Sequence, residues 1–274
     1  MNTVNKVWAV YFTGTGNTKK TVCAVAKAAC ETLGCGYEEF DFSLPAAREG
    51  QLTFSPNDLV VIGTPVYAGR VPNVLLPYLT GNIAGNGALA IPVVTYGNRN
   101  FDDGLMELRN ITITNGFVPV AAGAFVGEHS FSTTLGAGRP DADDMSLAAR
   151  LGCEAAAKVQ AGTVSDPVAV EGEDPIRPYY TPRDRKGTPI NILKVKPKTD
   201  TDKCVRCGLC ARICTMGSID PQDVTSVTGI CIKCCACVKR CPKGAKYYDD
   251  EGYLYHQHEL EEVYARPAES RIFL

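Results

Sequence analysis

The sequence lacks several features that would assign it to a membrane or nucleic-acid-binding class. It contains no stretch of about 18 consecutive apolar residues, so we expect no segment to span a bilayer. Its 28 Lys and Arg residues nearly balance its 30 Asp and Glu residues, which gives no reason to expect nucleic acid or an anionic membrane as a partner. The first residues lack the charged segment, apolar run and cleavage site of a signal peptide, which predicts a cytoplasmic protein.

Cysteine, in contrast, is unusually frequent for a cytoplasmic chain. Of the 13 cysteines, nine lie between Cys204 and Cys241, and the others are scattered. In a reducing compartment such a group favours metal binding over disulfides. Cys23 and Cys30 are seven residues apart in a predicted helix, where we interpret them as core residues.

Apolar runs alternate with helical patterns over residues 1–161. The predicted strands are 6–12, 36–42, 60–63, 88–94 and 118–126, and the predicted helices are 17–33, 72–81, 101–115 and 141–161. This alternation predicts an α/β domain with a parallel sheet that is covered on both faces.

The remaining residues divide into three segments. Residues 162–198 contain six prolines and form a predicted linker, which either docks through Tyr179 and Tyr180 or remains loosely ordered polar chain. Residues 199–248 contain the cysteine group and few large apolar side chains, so a metal must supply much of their cohesion. Residues 249–274 form a C-terminal tail with no recognisable motif.

The cysteine group is an internal repeat. The pattern Cys-x2-Cys-x2-Cys-x3-Cys begins at Cys204 and recurs 27 residues later at Cys231. Structural zinc, the alternative, is usually bound by two C-x2-C pairs separated by a dozen or more residues, so the third cysteine of each repeat would have no role. The repeat therefore favours iron–sulfur clusters.

This repeat, with Pro242 after its last cysteine, resembles the bacterial two-cluster ferredoxins over about 50 residues. The resemblance implies a small α+β domain with two [4Fe–4S] clusters, in which the fourth cysteine of each motif binds the other cluster. One cluster would be held by Cys204, Cys207, Cys210 and Cys241, and the other by Cys231, Cys234, Cys237 and Cys214. Thr215 departs from the family pattern, which usually has proline there, and Cys235 is left as a small packing residue or a polar neighbour of the sulfurs.

The segment TGTGNT follows the first predicted strand and precedes the first predicted helix. Backbone N–H groups at such a helix start favour an anion, and small residues allow its close approach. The candidate phosphate ligands are Thr13, Gly14, Thr15, Gly16, Asn17 and Thr18. Neither the phosphate loop of nucleotide hydrolases nor the dinucleotide fingerprint is present, since Lys19 occupies the third glycine position of the latter.

Over about residues 4–161 the chain resembles the flavodoxins, which bind FMN beside a doubly wound five-stranded parallel sheet of order 2-1-3-4-5. The resemblance implies two further flavin loops, within 63–72 and 95–104. Their candidate FMN-binding residues are Thr64, Pro65, Val66, Tyr67, Ala68, Gly69, Thr95, Tyr96, Gly97, Asn98, Arg99, Phe101 and Asp102. Tyr67, Tyr96 and Phe101 are candidates to stack on the flavin ring, the alternative for each being ordinary loop packing.

Three other residues near these loops have two possible roles. His129 lies in the long segment 127–144, which either folds over the flavin or meets the cysteine domain. It would act as a proton donor or as a structural residue. Arg70 and Arg99 would stabilise reduced anionic flavin or lie solvated at the surface.

The whole chain resembles the flavodoxin/ferredoxin fusion proteins of anaerobes. The resemblance implies low-potential electron transfer between clusters and FMN, to or from a ferredoxin, flavoprotein or reductase. An FMN-dependent reductase of a small molecule is the alternative, and a redox sensor or structural module is a third possibility. Space and a proton donor above the flavin would favour the reductase, and a covered ring would favour the carrier. The sequence predicts no oligomeric state.

Overall fold

A computed structural model describes residues 3–164 and 166–274. The strands are β1 Lys6–Tyr11, β2 Gly36–Asp41, β3 Leu52–Thr53, β4 Asp58–Pro65, β5 Ile83–Ala84, β6 Leu89–Tyr96, β7 Val118–Pro119, β8 Ala122–Val126, β9 Lys198–Thr199, β10 Lys246–Tyr247 and β11 Arg271–Phe273. The α-helices are α1 Asn17–Leu33, α2 Leu76–Gly81, α3 Gly104–Thr114, α4 Ala142–Gln160, α5 Leu209–Arg212, α6 Ala236–Lys239 and α7 Glu251–Val263.

The main sheet has the strand order β2-β1-β4-β6-β8, with all of these neighbours parallel. Counted along the chain, this is the predicted 2-1-3-4-5 order, which confirms the flavodoxin-like α/β fold. One apolar core lies between the sheet and helices α1 and α4, and a second lies on the side of α2 and α3. The carboxyl ends of the strands therefore meet at one edge, where ligands bind in sheets of this kind.

The fifth predicted strand, 118–126, is interrupted. Leu89 of β6 pairs with Val118, but Val93 pairs with Gly123, so the partner strand contains one extra residue between β7 and β8. Such an insertion is a β-bulge. It lies opposite Pro92, which has no N–H to donate to the ladder.

The C-terminal tail, for which the sequence predicted no role, completes the main sheet. Strand β11 pairs antiparallel with β8, so the five parallel strands gain a sixth neighbour at their edge. The Ser270 hydroxyl accepts a hydrogen bond from the N–H of Val126 at 2.9 Å and donates to Asp144 at 2.6 Å. The chain thus returns from its last segment to its first domain.

The proline-rich segment 162–198 lies against the first domain in the residues that the structure describes. The N–H of Val168 donates to the carbonyl of Pro119, and the N–H of Tyr180 donates to that of Ala68. The Tyr179 hydroxyl donates to the carbonyl of Val71 at 2.8 Å. Both tyrosines that the sequence singled out as docking candidates therefore contact the loop after β4.

The cysteine domain is built from two similar halves. The antiparallel pair β9–β10 joins its two ends, and the short helices α5 and α6 carry the third cysteine of each motif. Its apolar clusters are small, and several cysteines belong to them. None of the helices in the described residues is long and apolar enough to cross a membrane.

Candidate functional site

The predicted phosphate loop forms the N-terminal end of α1. Gly16 adopts a left-handed conformation with φ of 109°, which glycine reaches without strain. Its N–H donates to the Thr13 hydroxyl at 3.0 Å, which closes the loop. Within the described residues, the N–H groups of Thr15, Asn17 and Thr18 donate no hydrogen bond to protein. These free donors at a helix start suit a phosphate monoester.

A cavity of about 250 Å³ lies between this loop and the two loops after β4 and β6. Most of the candidate flavin residues line it, namely Thr13, Gly14, Thr15, Asn17, Thr18, Pro65, Val66, Tyr67, Ala68, Gly69, Thr95, Tyr96, Gly97 and Arg99. Tyr67 and Tyr96 thus face the place where a flavin ring is expected. The Thr18 and Thr95 hydroxyls are 2.6 Å apart and join the first loop to the third.

Three candidates have other partners and do not line the cavity. Phe101 is buried in the core, with its ring centroid 5.6 Å from that of Tyr96. The amide nitrogen of Asn98 donates to the carbonyls of Tyr264 and Arg266 at 2.8 Å each, and its oxygen accepts from the N–H of Ala268. Asp102 is paired with Arg99. We therefore assign Phe101 to packing, Asn98 to anchoring the tail and Asp102 to holding an arginine.

Two more candidates also lie outside the cavity lining. The Thr64 side chain is buried in β4, and its hydroxyl lacks a hydrogen-bond partner in the described residues. Gly16 shapes the first loop without lining the cavity.

Of the two arginines, one faces the cavity and one does not. Arg70 forms two hydrogen bonds to the Glu107 carboxylate, and its guanidinium lies 4.3 Å from the ring centroid of Tyr179. It therefore holds the linker in place. Arg99 lines the cavity, and its guanidinium lies 4.6 Å from the ring centroid of Tyr180, so it remains a candidate to face the flavin.

The rest of the cavity wall comes from segments that the flavodoxin resemblance does not cover. The linker contributes Tyr180, Pro182, Ile192 and Leu193, the second cysteine motif contributes Ile232 and Lys233, and α7 contributes His256 and Leu260. Sequence analysis singled out Tyr180 as a docking residue but predicted none of these residues in the cavity wall. They have no motif of their own, and only the fold brings them to the carboxyl edge of the sheet.

The segment 127–144 both covers the cavity and meets the cysteine domain. Gly127, Glu128, His129, Ser130 and Phe131 line the cavity. The ammonium of Lys239, in the second cysteine motif, donates to the carbonyls of His129 and Ser132 at 2.6 Å each and pairs with Glu128. One lysine therefore fixes this segment to the cysteine domain.

Both histidines in the cavity wall are held neutral. Burial, together with the charges of Lys239, His256 and Arg99, lowers the pKa of His129 to about 3. Its Nδ1 accepts a hydrogen bond from the N–H of Phe131 at 3.1 Å. Burial lowers the pKa of His256 to about 4, with a further contribution from Arg99. Neither ring would carry the proton of an imidazolium acid near neutral pH.

The eight motif cysteines line two separate cavities. Cys204, Cys207, Cys210 and Cys241 line the first, which Cys237 also reaches, and Cys214, Cys231, Cys234 and Cys237 line the second, together with Cys235. The fourth cysteine of each motif thus lies beside the first three of the other motif. In the described residues, no three His, Cys, Asp or Glu side chains are placed to hold a single metal ion.

The two cavities share one pattern of hydrogen bonds to sulfur and differ in another. The N–H groups of Ser218 and Ala245 donate to Cys214 and Cys241, each at 3.3 Å, at equivalent places in the repeat. Only the second cavity adds hydroxyl groups in the described residues. Thr215 lies 3.5 Å from the Cys234 sulfur, and Tyr248 lies 3.5 Å from the Cys231 sulfur.

The second cysteine cavity adjoins the phosphate loop. A Cβ atom placed on Gly14 would lie 2.9 Å from Cβ of Cys234 and 3.2 Å from its carbonyl oxygen. The Arg48 guanidinium spans the same boundary, since it donates to the carbonyl of Ser43 in the first domain and to that of Thr215, each at 2.8 Å. The two domains therefore contact each other at the loop that precedes α1.

Residues 197–220 match the family model described as a 4Fe-4S binding domain. No curated protein matches the chain. An archaeal flavodoxin structure is 14% identical and covers 57% of this chain and 99% of its own, with a TM-score of 0.41. A flavodoxin from Streptococcus pneumoniae TIGR4 is 16% identical, and the match covers 56% of this chain and 99% of the flavodoxin, with a TM-score of 0.40. Rubredoxin oxygen:oxidoreductase from Desulfovibrio gigas is 14% identical, and the match covers 59% of this chain and 38% of that protein, with a TM-score of 0.43.

At TM-scores this low, the likenesses to solved structures carry no conclusion. The fold assignment rests instead on the strand order and loop positions of this chain. The chain therefore joins a flavodoxin-like α/β domain to a 4Fe–4S binding domain.

Proposed function

We propose that this chain is an electron-transfer protein that holds FMN and two [4Fe–4S] clusters and exchanges electrons with a separate redox protein. The observation that carries the proposal is the contact between Gly14 and Cys234. It places the loop that would hold the flavin phosphate in van der Waals contact with a cysteine that would hold a cluster. Two cofactors bound there would be close enough for direct electron exchange.

The cavity residues fit FMN by the chemistry of their donors. The free N–H groups of Thr15, Asn17 and Thr18 would bind the phosphate together with the Thr15 hydroxyl. Tyr67 and Tyr96 would contact the ring, and the backbone at Gly69 and Gly97 would approach its polar edge. No lysine or arginine is needed for the phosphate, because the helix start supplies the positive potential.

The cysteine cavities fit two clusters with exchanged fourth ligands. Cys204, Cys207, Cys210 and Cys241 would hold the cluster farther from the flavin loop, which we call the distal cluster. Cys231, Cys234, Cys237 and Cys214 would hold the nearer one, the proximal cluster. When bound, these groups supply one-electron transfer, and FMN supplies one- or two-electron transfer.

The surroundings of the flavin cavity favour a carrier over a small-molecule reductase. The cavity of about 250 Å³ is at the small end for ligand sites, so a flavin ring would leave little room for a substrate. His129, the candidate proton donor, is neutral because burial lowers its pKa to about 3, and its Nδ1 is already an acceptor. Linker, cysteine domain and α7 all contribute residues to the wall around the ring position.

The same proposal extends to the cellular role. Low-potential clusters joined to a flavin would suit anaerobic metabolism in the cytoplasm. The partner would be a ferredoxin, a flavoprotein or a reductase, and it would supply or accept single electrons.

Cofactor content is the first test. The protein isolated without oxygen should contain one FMN and about eight irons per chain. Zinc in place of iron would contradict the cluster proposal, and FAD or a lack of flavin affinity would contradict the FMN proposal.

A variant of the phosphate loop tests the flavin site itself. Thr15→Ala removes one donor to a charged phosphate, which should cost about 1–3 kcal/mol, or roughly 5- to 150-fold in the Kd of FMN. Riboflavin, which lacks the phosphate, should bind the parent and the variant equally. Thr114→Ala, at an exposed position of α3, is the matched control. Equal weakening of FMN and riboflavin would show that Thr15 does not contact the phosphate.

A further inference from the structure

The outer wall of the distal cysteine cavity is an exposed, positively charged surface. We call it the basic face, and its residues are Val205, Arg206, Cys207, Arg240, Pro242 and Lys243, all of which line that cavity and are exposed. Val205 is 60% exposed although it is apolar. In the described parts of the chain, the three basic side chains form no ion pair. Three unpaired charges therefore surround a small apolar centre.

The proximal cavity also has an exposed apolar side chain in its wall, Ile230 at 66% exposure, but none of the described residues that line it is basic. Cys234 packs against Gly14, and Thr215 is buried with its carbonyl bonded to Arg48. The linker and α7 contribute to the wall of the flavin cavity beyond it. Of the two cysteine cavities, the distal one is thus the one that presents a basic surface to an outside redox centre.

The charge of this region also differs from that of the rest of the chain. Residues 199–248 contain eight Lys and Arg against four Asp and Glu, although the whole chain contains 28 against 30. Asp223 is an acidic residue near Arg206: hydrogen bonds from Thr225, and then the charges of Arg206 and Lys246, lower the pKa of its carboxyl. Four of the eight basic residues, Arg206, Arg240, Lys243 and Lys246, line the distal cavity.

We propose that the basic face is the docking surface for a redox protein with an acidic rim around its own cofactor. The proposal rests on the proposed function and names the partner of its distal cluster. Complementary charge would steer the encounter and raise its rate, while the small apolar centre at Val205 and Pro242 would keep the complex short-lived. Electrons would then enter or leave at the distal cluster and reach the flavin through the proximal one.

The competing explanation is that the basic residues only offset the negative charge of the bound cluster. In that case their removal would change the midpoint potential of the distal cluster and leave the encounter with a partner unaffected. The dependence of the encounter rate on salt separates the two explanations, because screening acts on charges between molecules.

The experiment uses the full chain with its cofactors, prepared without oxygen. A small, strongly acidic ferredoxin in its reduced form is the probe, and stopped-flow absorbance gives the second-order rate of cluster reduction over a range of NaCl concentrations. The test variant is Arg206→Gln/Arg240→Gln/Lys243→Gln. The control variant, Lys27→Gln/Arg150→Gln/Lys186→Gln, removes three exposed positive charges elsewhere.

The parent and the control should show rates that fall steeply with salt. The test variant should be roughly tenfold slower at low salt and should have lost most of the salt dependence. Reduction by a small viologen radical should be equal in all three proteins, which shows that the clusters are intact. If the triple variant loses a cluster, Lys243→Gln alone should still give a roughly twofold decrease at low salt with a shallower salt dependence.

Three results would overturn the docking proposal. One is equal rates and equal salt dependence in the test variant and the control. Another is a slower test variant whose salt dependence is unchanged and whose distal potential has shifted, as the offsetting explanation predicts. The third is that the test variant loses a concentration-dependent dimer formed by the parent while its rate of cluster reduction is unchanged, which would make the basic face a contact between copies of this chain. A parent protein that neither the ferredoxin nor the viologen can reduce would contradict the proposed function instead.

Discussion

The two cysteine motifs have the same spacing and very different surroundings. The first contributes most of a cavity that opens onto Val205, Cys207 and unpaired basic side chains. The second lies between the phosphate loop, at Gly14, and the segment 127–144, which Lys239 holds. The spacing of the cysteines therefore predicts how clusters would be held, whereas the surroundings of each motif predict what each cluster would contact.

The hydrogen bonds to the cysteine sulfurs also include some that the two motifs share and some that differ between them. The bonds that both motifs share come from backbone N–H groups at equivalent positions, those of Ser218 and Ala245. The bonds that differ come from the side chains of Thr215 and Tyr248, and both lie at the proximal cavity. Local backbone geometry repeats with the motif, and side-chain chemistry distinguishes the two sites.

The largest expected effect comes from breaking the exchange of fourth ligands. Cys241→Ser should destroy the spectrum of the distal cluster, and Cys214→Ser should destroy that of the proximal one, because each lies at the cavity of the other motif. Electron paramagnetic resonance of the reduced proteins, with iron content, measures which cluster is lost.

Cys235→Ser is the control for this pair, since the sequence gives Cys235 no ligand position and it is buried beside the proximal cavity. Both clusters should remain. Loss of the distal cluster from Cys214→Ser would mean that each motif binds its own cluster.

The sequence predicted the parts of the molecule that depend on local pattern. Helix α1 occupies the predicted residues 17–33, because small residues, a glycine at each end and an apolar face all lie within one segment. The strand order followed from the resemblance to the flavodoxins, which rests on the TGTGNT segment and the positions of the two later loops. The sequence also indicated both tyrosines that dock the linker.

The parts that the sequence missed depend on contacts distant along the chain. The tail forms β11 because its backbone meets the free edge of β8, and no motif marks such an edge. No motif marks the hydrogen bonds that the side chain of Asn98, a candidate flavin residue, donates to two carbonyls of the tail. Phe101 and Tyr96 have similar sequence contexts, but only Tyr96 lines the cavity.

A smaller effect is expected on the midpoint potential of one cluster when a hydroxyl next to its sulfur is removed. A hydroxyl that donates to a cluster sulfur stabilises the reduced state, so Thr215→Val should lower the midpoint potential of the proximal cluster. Loss of one such bond should shift it by roughly 20–60 mV, and the distal potential should not move. A redox titration followed by electron paramagnetic resonance measures both.

Thr201→Val, an exposed change in the same domain, is the matched control and should shift neither potential. Tyr248→Phe should repeat the decrease at the proximal cluster, since its hydroxyl lies at the Cys231 sulfur. Equal shifts at both clusters would show that Thr215 acts through the fold of the domain.

The last expected effect is a loss of stability in acid, caused by the histidine that is buried in the wall of the flavin cavity. Burial lowers the pKa of His129 to about 3, whereas an exposed histidine in the unfolded chain titrates near its ordinary value of 6.5. The unfolded state therefore binds the proton first, and stability should fall as the pH falls from about 6.5 towards 3. One such histidine contributes a slope of at most about 1.4 kcal/mol per pH unit.

His129→Gln should remove part of this acid sensitivity, which the midpoint of thermal unfolding between pH 5 and 7 would measure. His258→Gln, at an exposed position of α7, is the control and should retain the sensitivity of the parent. An unchanged pH profile in His129→Gln would show that its burial does not contribute to acid sensitivity.

The proposed relay is tested most directly by following the route by which electrons reach the flavin. The protein is mixed rapidly with a reduced acidic ferredoxin, and cluster and flavin absorbances are followed together in the parent, Cys234→Ser and Cys207→Ser. We predict that flavin bleaching in the parent accompanies or follows cluster reduction and outpaces the reduction of added free FMN. In Cys234→Ser the distal cluster should still be reduced while flavin bleaching is lost, and in Cys207→Ser both should be slow. Flavin bleaching at the same rate with and without the clusters would contradict the relay and leave two domains that merely share a chain.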